Sequence, residues 1–178
     1  KNRLLDIMKL AAKFYHKVLL DSPQSAAARA YLLEERLVAP HVIDEWQIGY
    51  IPENWDTLTQ FLLKKGIGIN DISHAGLALQ KQGGGWYDRF RGRIMFPLSD
   101  AQGNAVGFTG RLLKEDPAFT QGKYVNSPQT PLYDKSKILY GLYYAKQAIK
   151  EKGYAILVEG QMDVIACHEY GMRNVIAS

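Results

Sequence analysis

The stretch Tyr154-Ala-Ile-Leu-Val-Glu159-Gly160-Gln-Met-Asp163-Val-Ile-Ala constrains the fold of this chain more than any other. Ala155 to Val158 is a short apolar run that stops at a charge and a glycine, and an apolar helical segment from Met162 to Tyr170 follows. Asn174-Val-Ile-Ala then reads as a further strand. That succession belongs to a parallel sheet, whose strands are buried on both faces and therefore apolar throughout. Ligands gather at the carboxyl ends of such strands, which is where Glu159 stands. Gly160 is expected to let the backbone turn sharply, and Asp163 to fall in the first helical turn, where the helix N-terminus favours an anion. Two readings stay open on these residues alone. Either Glu159 and Asp163 share a divalent cation, or Asp163 only stabilises a helix start and Glu159 is a solvated strand end.

With 178 residues, 47% of them hydrophobic, the chain can bury a sizeable core as one large domain or two small ones. No apolar run approaches the length that crosses a bilayer, and the start Lys1-Asn-Arg-Leu-Leu-Asp is charged and helical rather than signal-like. A soluble cytoplasmic protein without membrane contact is expected. The chain begins at Lys1 rather than Met and Ser178 follows directly on a strand, so it reads as cut from something longer. Cys167 is the only cysteine, which leaves no internal disulfide or thiolate zinc cluster within these residues and assigns Cys167 to packing. His16, His41, His74 and His168 are scattered without metal-ligand spacing and read as surface or satisfied residues.

The net charge of +4 is concentrated: between Lys81 and Lys137 nine basic residues face five acidic ones, which accounts for the whole excess. Trp86, Tyr87, Phe90, Tyr124 and Tyr133 are interleaved with them. A basic segment with aromatics suits a polyanion such as nucleic acid or a triphosphate, although solvated strands also carry Arg and Lys.

The N-terminal part is helical in pattern. Leu4, Met8, Ala11, Tyr15 and Val18 form the stripe of an amphipathic helix over residues 2–20. Ser22 can cap and Pro23 open a second helix to about Arg36, and Ala39-Pro40 opens a third that ends near Trp46. Ile48 to Ile51 reads as a strand, Thr57 to Lys65 as a helix ended by Gly66, and Ile69 to His74 as a helical turn. From Leu77 the period changes to two. Leu77-Ala-Leu-Gln, a Gly83-Gly-Gly turn, Arg93-Ile-Met-Phe-Pro-Leu, a turn at Asp100 to Asn104 and Ala105 to Leu113 read as antiparallel hairpins. Lys114 to Gly122 is a polar loop, Lys123-Tyr-Val-Asn a brief strand, and Leu139 to Lys152 a helix in which Tyr140, Tyr143 and Tyr144 pack. The expected fold class is thus α+β followed by α/β. A subdomain over 1–136 is helical over 1–75 and antiparallel β over 77–127, and an incomplete α/β unit occupies 137–178.

Three blocks, in this order and spacing, resemble the bacterial replicative DNA primases of the DnaG type. They are Tyr87-Asp-Arg-Phe-Arg-Gly-Arg-Ile-Met-Phe-Pro-Leu-Ser-Asp-Ala-Gln-Gly103 running on to Gly107-Phe-Thr-Gly-Arg111, then Lys123-Tyr-Val-Asn-Ser-Pro-Gln-Thr, and finally Leu139-Tyr-Gly-Leu followed by Val158-Glu-Gly-Gln-Met-Asp-Val. The likeness covers nearly the whole chain. It implies a primase core, a mixed subdomain with a basic face followed by the first part of a Toprim fold, which makes RNA primers from ribonucleoside triphosphates on single-stranded DNA template. It implies that Glu159 is catalytic and, with Asp163, organises Mg²⁺ or Mn²⁺. Arg111, Lys123, Tyr124, Asn126 and Lys135, with Arg89 and Arg91, would attend nucleotide or template. A replicative helicase and a zinc-binding module would belong to regions outside this chain, with no zinc site within it.

The chemistry agrees with that implication. Attack of a 3′-hydroxyl on an α-phosphate needs its charge neutralised and the nucleophile's pKa lowered, and hard Mg²⁺ takes carboxylate oxygens. Arg111 can clamp a phosphate with its planar fork, whereas Lys123 and Lys135 act as adaptable point charges. Arg89, Arg91 and Arg93 are as readily surface charges as site residues, because a strand has two faces. Two positions depart from the family's pattern: a tyrosine is common where Gln161 stands and a glycine where Thr109 stands. The Toprim fold also needs a later Asp-x-Asp, and none follows Asp163 here. These residues alone are therefore expected to bind metal weakly and to be inactive or nearly so. Glu-Gly-x-x-Asp by itself also fits a topoisomerase-like or nuclease-like Toprim protein, and the basic strands by themselves fit a non-catalytic single-stranded DNA-binding module.

Overall fold

Helix α1 (Asn2–Asp21) turns Ile7, Met8, Ala11, Tyr15 and Leu19 inward, as its apolar stripe predicts. The computed structural model describes residues 2–114 and 122–178, so the polar loop expected from Lys114 to Gly122 lies largely outside the described residues. Ser22 accepts the Gln24 N–H with its hydroxyl, and Pro23 starts a 3₁₀ turn that leads into α2 (Ala26–Ala30). The helix goes on as a π-helical turn over Tyr31–Glu35, a wider coil that buries both Tyr31 and Leu32. Next come α3 (Pro40–Glu45), β1 (Gly49–Ile51), α4 (Thr57–Lys64) and α5 (Ile69–His74). Strand β1 runs against α1 so closely that a Cβ at Gly49 would lie 2.5 Å from the Tyr15 Cβ.

Strands β2 (Ala78–Gln80) and β3 (Trp86–Asp88) form a hairpin across Gly83, Gly84 and Gly85, all of positive φ. This differs from the expected pairing with Arg93–Leu98. Three glycines let the chain reverse at once, so the first available run takes the partner position. Strands β4 (Arg93–Ser99), β5 (Ala105–Leu112) and β6 (Tyr124–Asn126) join β1 in a four-stranded antiparallel sheet of order β1-β4-β5-β6. Its two faces feed two cores. Ile94, Phe96 and Leu98 pack with Trp46, Tyr140, Val164, Ile165 and Val175. Met95 and Phe108 pack with Ile7, Met8, Tyr15, Leu58, Ile72 and Phe90.

The last unit comprises α6 (Leu142–Lys152), β7 (Ile156–Val158), α7 (Gln161–Glu169) and β8 (Val175–Ala177), with β7 and β8 parallel. Helix α6 starts later than its pattern predicts. The Tyr140 N–H and C=O pair with Ala177 at 2.8 and 3.1 Å, and Gly141, at φ +82°, turns the chain into the helix. Strand β7 is not buried on both faces as its apolar run predicts: Ile156 and Val158 pack on the first core, but Leu157 is 63% exposed. Tyr140 and Tyr144 stack on Trp46 with ring centres 5.5 and 4.3 Å away, and Cys167 is free and half-buried against the same core. Among the described residues no helix is long and apolar enough to cross a membrane.

Candidate functional site

Register places three of the expected residues, Arg111, Tyr124 and Asn126, together with Thr109 on one face of the central sheet, because directly paired residues point the same way. Thr109 pairs with Asn126 and Phe96, and Arg111 pairs with Tyr124 and Ile94. Phe96 and Ile94 belong to the first core, the one that β7, α7 and β8 cover. The Arg111 guanidinium carbon lies 4.6 Å from the Tyr31 ring centre and 6.0 Å from that of Tyr124, and its Nη1 donates to the Leu112 carbonyl at 3.0 Å. Two rings and a carbonyl thus hold the fork beside the sheet edge while leaving it half-exposed.

Glu159 and Asp163 are both exposed, on either side of the turn into α7. Gly160 has φ −128° and ψ 158°, extended backbone open to any residue, so it does not serve the sharp turn expected of it. Its missing side chain matters instead: a Cβ there would meet the Asp163 Oδ2 at 3.2 Å. The Asp163 carboxylate therefore folds back over the bend at Gly160. Gln161, between the two acids, donates from Nε2 to the Thr109 hydroxyl at 3.5 Å, and that hydroxyl donates to Asn126 Oδ1 at 2.8 Å. Arg89 donates to the Asn126 backbone carbonyl from Nε and Nη2 at 3.1 and 2.8 Å. The acidic bend, Asn126 and Arg89 are thus joined, with Arg111 and Tyr124 two pairs further along the strands.

Lys135 lies on an exposed 3₁₀ turn, Lys135–Lys137, capped by Asp134. At Lys123 the sheet uses the carbonyl, which accepts from the Leu112 N–H at 2.8 Å and from Arg93 Nη1 at 3.1 Å. Arg93 is no surface cation: it is fully buried and also donates to Gly110 and Gly122 at 3.1 Å, and burial, helped by Arg89 and Arg91 nearby, pushes its pKa down. Among the described residues no group of three or more His, Cys, Asp and Glu could hold a metal ion. Glu159 and Asp163 offer an exposed, all-oxygen pair of the kind hard divalent cations take, with room above Gly160 that a Cβ would fill.

A second cationic surface forms around Trp55, a residue the sequence reading left out although it named Arg91, Lys81 and Tyr87. Its indole is 56% exposed, with the Arg91 guanidinium carbon 3.8 Å and the Lys81 Nζ 5.2 Å from the ring centre and the Tyr87 ring edge-on at 5.7 Å. The Trp55 carbonyl accepts the Asp88 N–H at 2.7 Å, which fixes the loop to β3. One signal was available, a lone tryptophan in the polar run Glu53-Asn-Trp-Asp56. A separate cleft of about 610 Å³ opens beside α1 and the β4–β5 turn, lined by Lys9, Lys13, Trp46, Gln47, Asn104 and Tyr144 among others. None of the expected site residues lines it.

Residues 14–146 match the family model of the DNA primase catalytic core, N-terminal domain. The chain belongs to the DNA primase family. A DNA primase of Synechocystis is 43% identical over 180 residues, an alignment that covers all of this chain and 28% of that protein. The chain thus spans little more than a quarter of that relative's length. The RNA polymerase domain of Mycobacterium tuberculosis primase DnaG, solved with double-stranded DNA, is 38% identical with a TM-score of 0.92, covering 100% of this chain and 55% of that one. A DnaG primase catalytic domain bound to ssDNA is 38% identical with a TM-score of 0.84, covering 98% of this chain and 55% of that one. The mixed helical and antiparallel architecture is that of primase catalytic cores.

Proposed function

We propose that the chain is the part of a primase that presents template and nucleotide to the first carboxylates of a metal centre, in an enzyme that makes short RNA primers on single-stranded DNA. The contact of Gln161 with Thr109 carries this reading, because it ties the bend bearing Glu159 and Asp163 to the face bearing Arg111, Tyr124 and Asn126. Residues 1–136 then supply the cations and residues 137–178 the carboxylates. Glu159 and Asp163 would hold Mg²⁺ or Mn²⁺, which supplies charge neutralisation at the α-phosphate and a lowered pKa at the attacking hydroxyl. Glu159 can in addition take a proton. Arg111 clamps phosphate oxygens with its fork, Lys123 and Lys135 add point charge, and the exposed Tyr124 ring lies beside the base. Trp55 and Arg91 suit unpaired template bases, since every base has a face to stack. Ribonucleoside triphosphates are the substrates, and helicase contact falls to regions outside the chain. The enzyme works in the cytoplasm, where template and nucleotides meet.

Two carboxylates hold Mg²⁺ weakly, so the third comes from residues outside the chain, and the chain by itself makes no primers. The deciding experiment is template-directed incorporation of labelled ribonucleotides by the full-length protein and its Glu159→Gln variant. Synthesis is expected to disappear in the variant while DNA binding persists. Undiminished synthesis, or loss of both together, contradicts the reading.

A further inference from the structure

Asn126 has both of its oxygens taken by the protein. Its backbone carbonyl accepts two bonds from the Arg89 guanidinium and its side-chain Oδ1 accepts the Thr109 hydroxyl. An amide is planar, so once Oδ1 is held its NH₂ group has one direction left, and among the described residues Nδ2 has no partner. Thr109 is buried to within 1% of full enclosure, and its hydroxyl has one proton to give and two lone pairs to offer. Giving the proton to Asn126 leaves the lone pairs for Gln161 Nε2, which approaches to 3.5 Å. The bonds therefore run in one sense, from the acidic bend through Thr109 to Asn126.

We infer that Thr109 is a positioning residue that turns the Asn126 amide into a donor-only group and holds it in register with the Glu159–Asp163 bend, so that Asn126 recognises an acceptor oxygen of the incoming nucleotide. This rests on the functional reading above and adds which atom of Asn126 acts and what aims it. The ligand atom is of stated chemistry, a phosphate or ribose hydroxyl oxygen, and a donor at that point of a ligand is rejected because two N–H groups would face each other.

Two substitutions in the full-length protein separate the parts. Asn126→Asp keeps an oxygen for the Thr109 hydroxyl but replaces the outward NH₂ with an anionic oxygen, so the KM for ATP is expected to rise by about tenfold or more, beyond that of Asn126→Ala. Thr109→Val keeps the shape and removes the hydroxyl, so the KM for ATP is expected to rise about fivefold with kcat within about twofold, the effect of one neutral hydrogen bond. Thr109→Ser, which restores the hydroxyl, is expected to bring the KM back. An Asn126→Asp enzyme with unaltered KM overturns the inference, and so does a Thr109→Val enzyme that loses thermal stability at unchanged KM. The functional reading fails on a different result, continued synthesis by Glu159→Gln, so the two failures are distinguishable.

Discussion

The guanidinium carbon of Arg91 lies 3.8 Å from the centre of the Trp55 indole, which is more than half exposed. A base that stacks there meets a flat apolar face with a cation already attached. Trp55→Ala is expected to weaken binding of a single-stranded oligonucleotide by about five- to 150-fold, the equivalent of about 1–3 kcal/mol for one stacked base. Arg91→Ala is expected to lower the slope of log affinity against log salt by about 0.7, the value for one phosphate contact on a single strand. Fluorescence titrations over a range of salt concentrations measure both. A Trp55→Ala affinity equal to wild type removes this surface from the template path.

Asp88 caps a helix far from it in sequence. Its buried carboxylate accepts the N–H groups of Leu58 and Thr59 at 2.8 and 2.9 Å and the Thr59 hydroxyl at 2.6 Å, while the local residue Asp56 makes no cap bond. Asp88→Ala leaves these donors unpaired in the core and is expected to cost about 1–3 kcal/mol in urea unfolding. Desolvation raises the Asp88 pKa above 3.8, and the three hydrogen bonds only partly oppose it. The folded state thus takes its proton at higher pH than the unfolded chain. The carboxyl's contribution is greatest in acid and declines as pH rises from the ordinary value through the raised one. Between those pH values wild type is expected to lose stability relative to Asp88→Asn, and a parallel pair of curves refutes the assignment.

The order of elements was legible because its signals are local. The stripe of α1, the Ser22-Pro23 start and the Gly66 and Gly153 stops each act within a turn or two. What was not legible depends on partners distant in the chain. The start of α6 is set by the pairing of Tyr140 with Ala177, β3 is too short to show a period, and the exposure of Leu157 reflects how little covers the outer face of β7. At the site the same division holds. The spacing of Glu159 and Asp163 is local and was read directly, but the role of Gly160 depends on where the Asp163 carboxylate folds. Arg93 and Arg91 look alike in sequence. One is buried under the carbonyls of Gly110 in β5 and Lys123 just before β6, and the other stacks on an indole brought in from another loop.

His168 is expected to make the fold acid-sensitive. Its Nε2 is 2.8 Å from the Val175 carbonyl, its ring meets Trp46 edge-on at 5.0 Å, and its buried Nδ1 has no partner among the described residues. Burial holds its pKa below the ordinary 6.5, with the Val175 bond opposing that shift. The imidazole is neutral in the fold, and the unfolded chain takes up a proton first. Its stabilising contribution is therefore complete above about 6.5 and declines as the pH falls from there toward the lowered folded value. Unfolding curves between pH 7 and 5 are expected to show a steeper loss for wild type than for His168→Gln. Equal slopes contradict the assignment.

Gly160 and Gly153 flank the β7 strand and are expected to answer alanine in opposite ways. Gly153 has φ +78° at the end of α6, with nothing within 4 Å of an added Cβ, so Gly153→Ala strains the backbone and costs about 1 kcal/mol without touching the bend. Gly160 has φ −128°, where alanine is unstrained, so Gly160→Ala is expected to leave stability unchanged or to raise it by about 0.4–1 kcal/mol. The new Cβ, however, would stand 3.2 Å from the Asp163 Oδ2, and the carboxylate must give by a few tenths of an ångström. If that carboxylate holds the cation, primer synthesis by the full-length protein shifts to higher Mg²⁺ concentration by about tenfold, the usual effect of disturbing a ligand's support. Thermal unfolding and a magnesium titration of the same two variants separate the cases. Gly160→Ala with wild-type magnesium dependence would show that Asp163 merely charges the start of a helix.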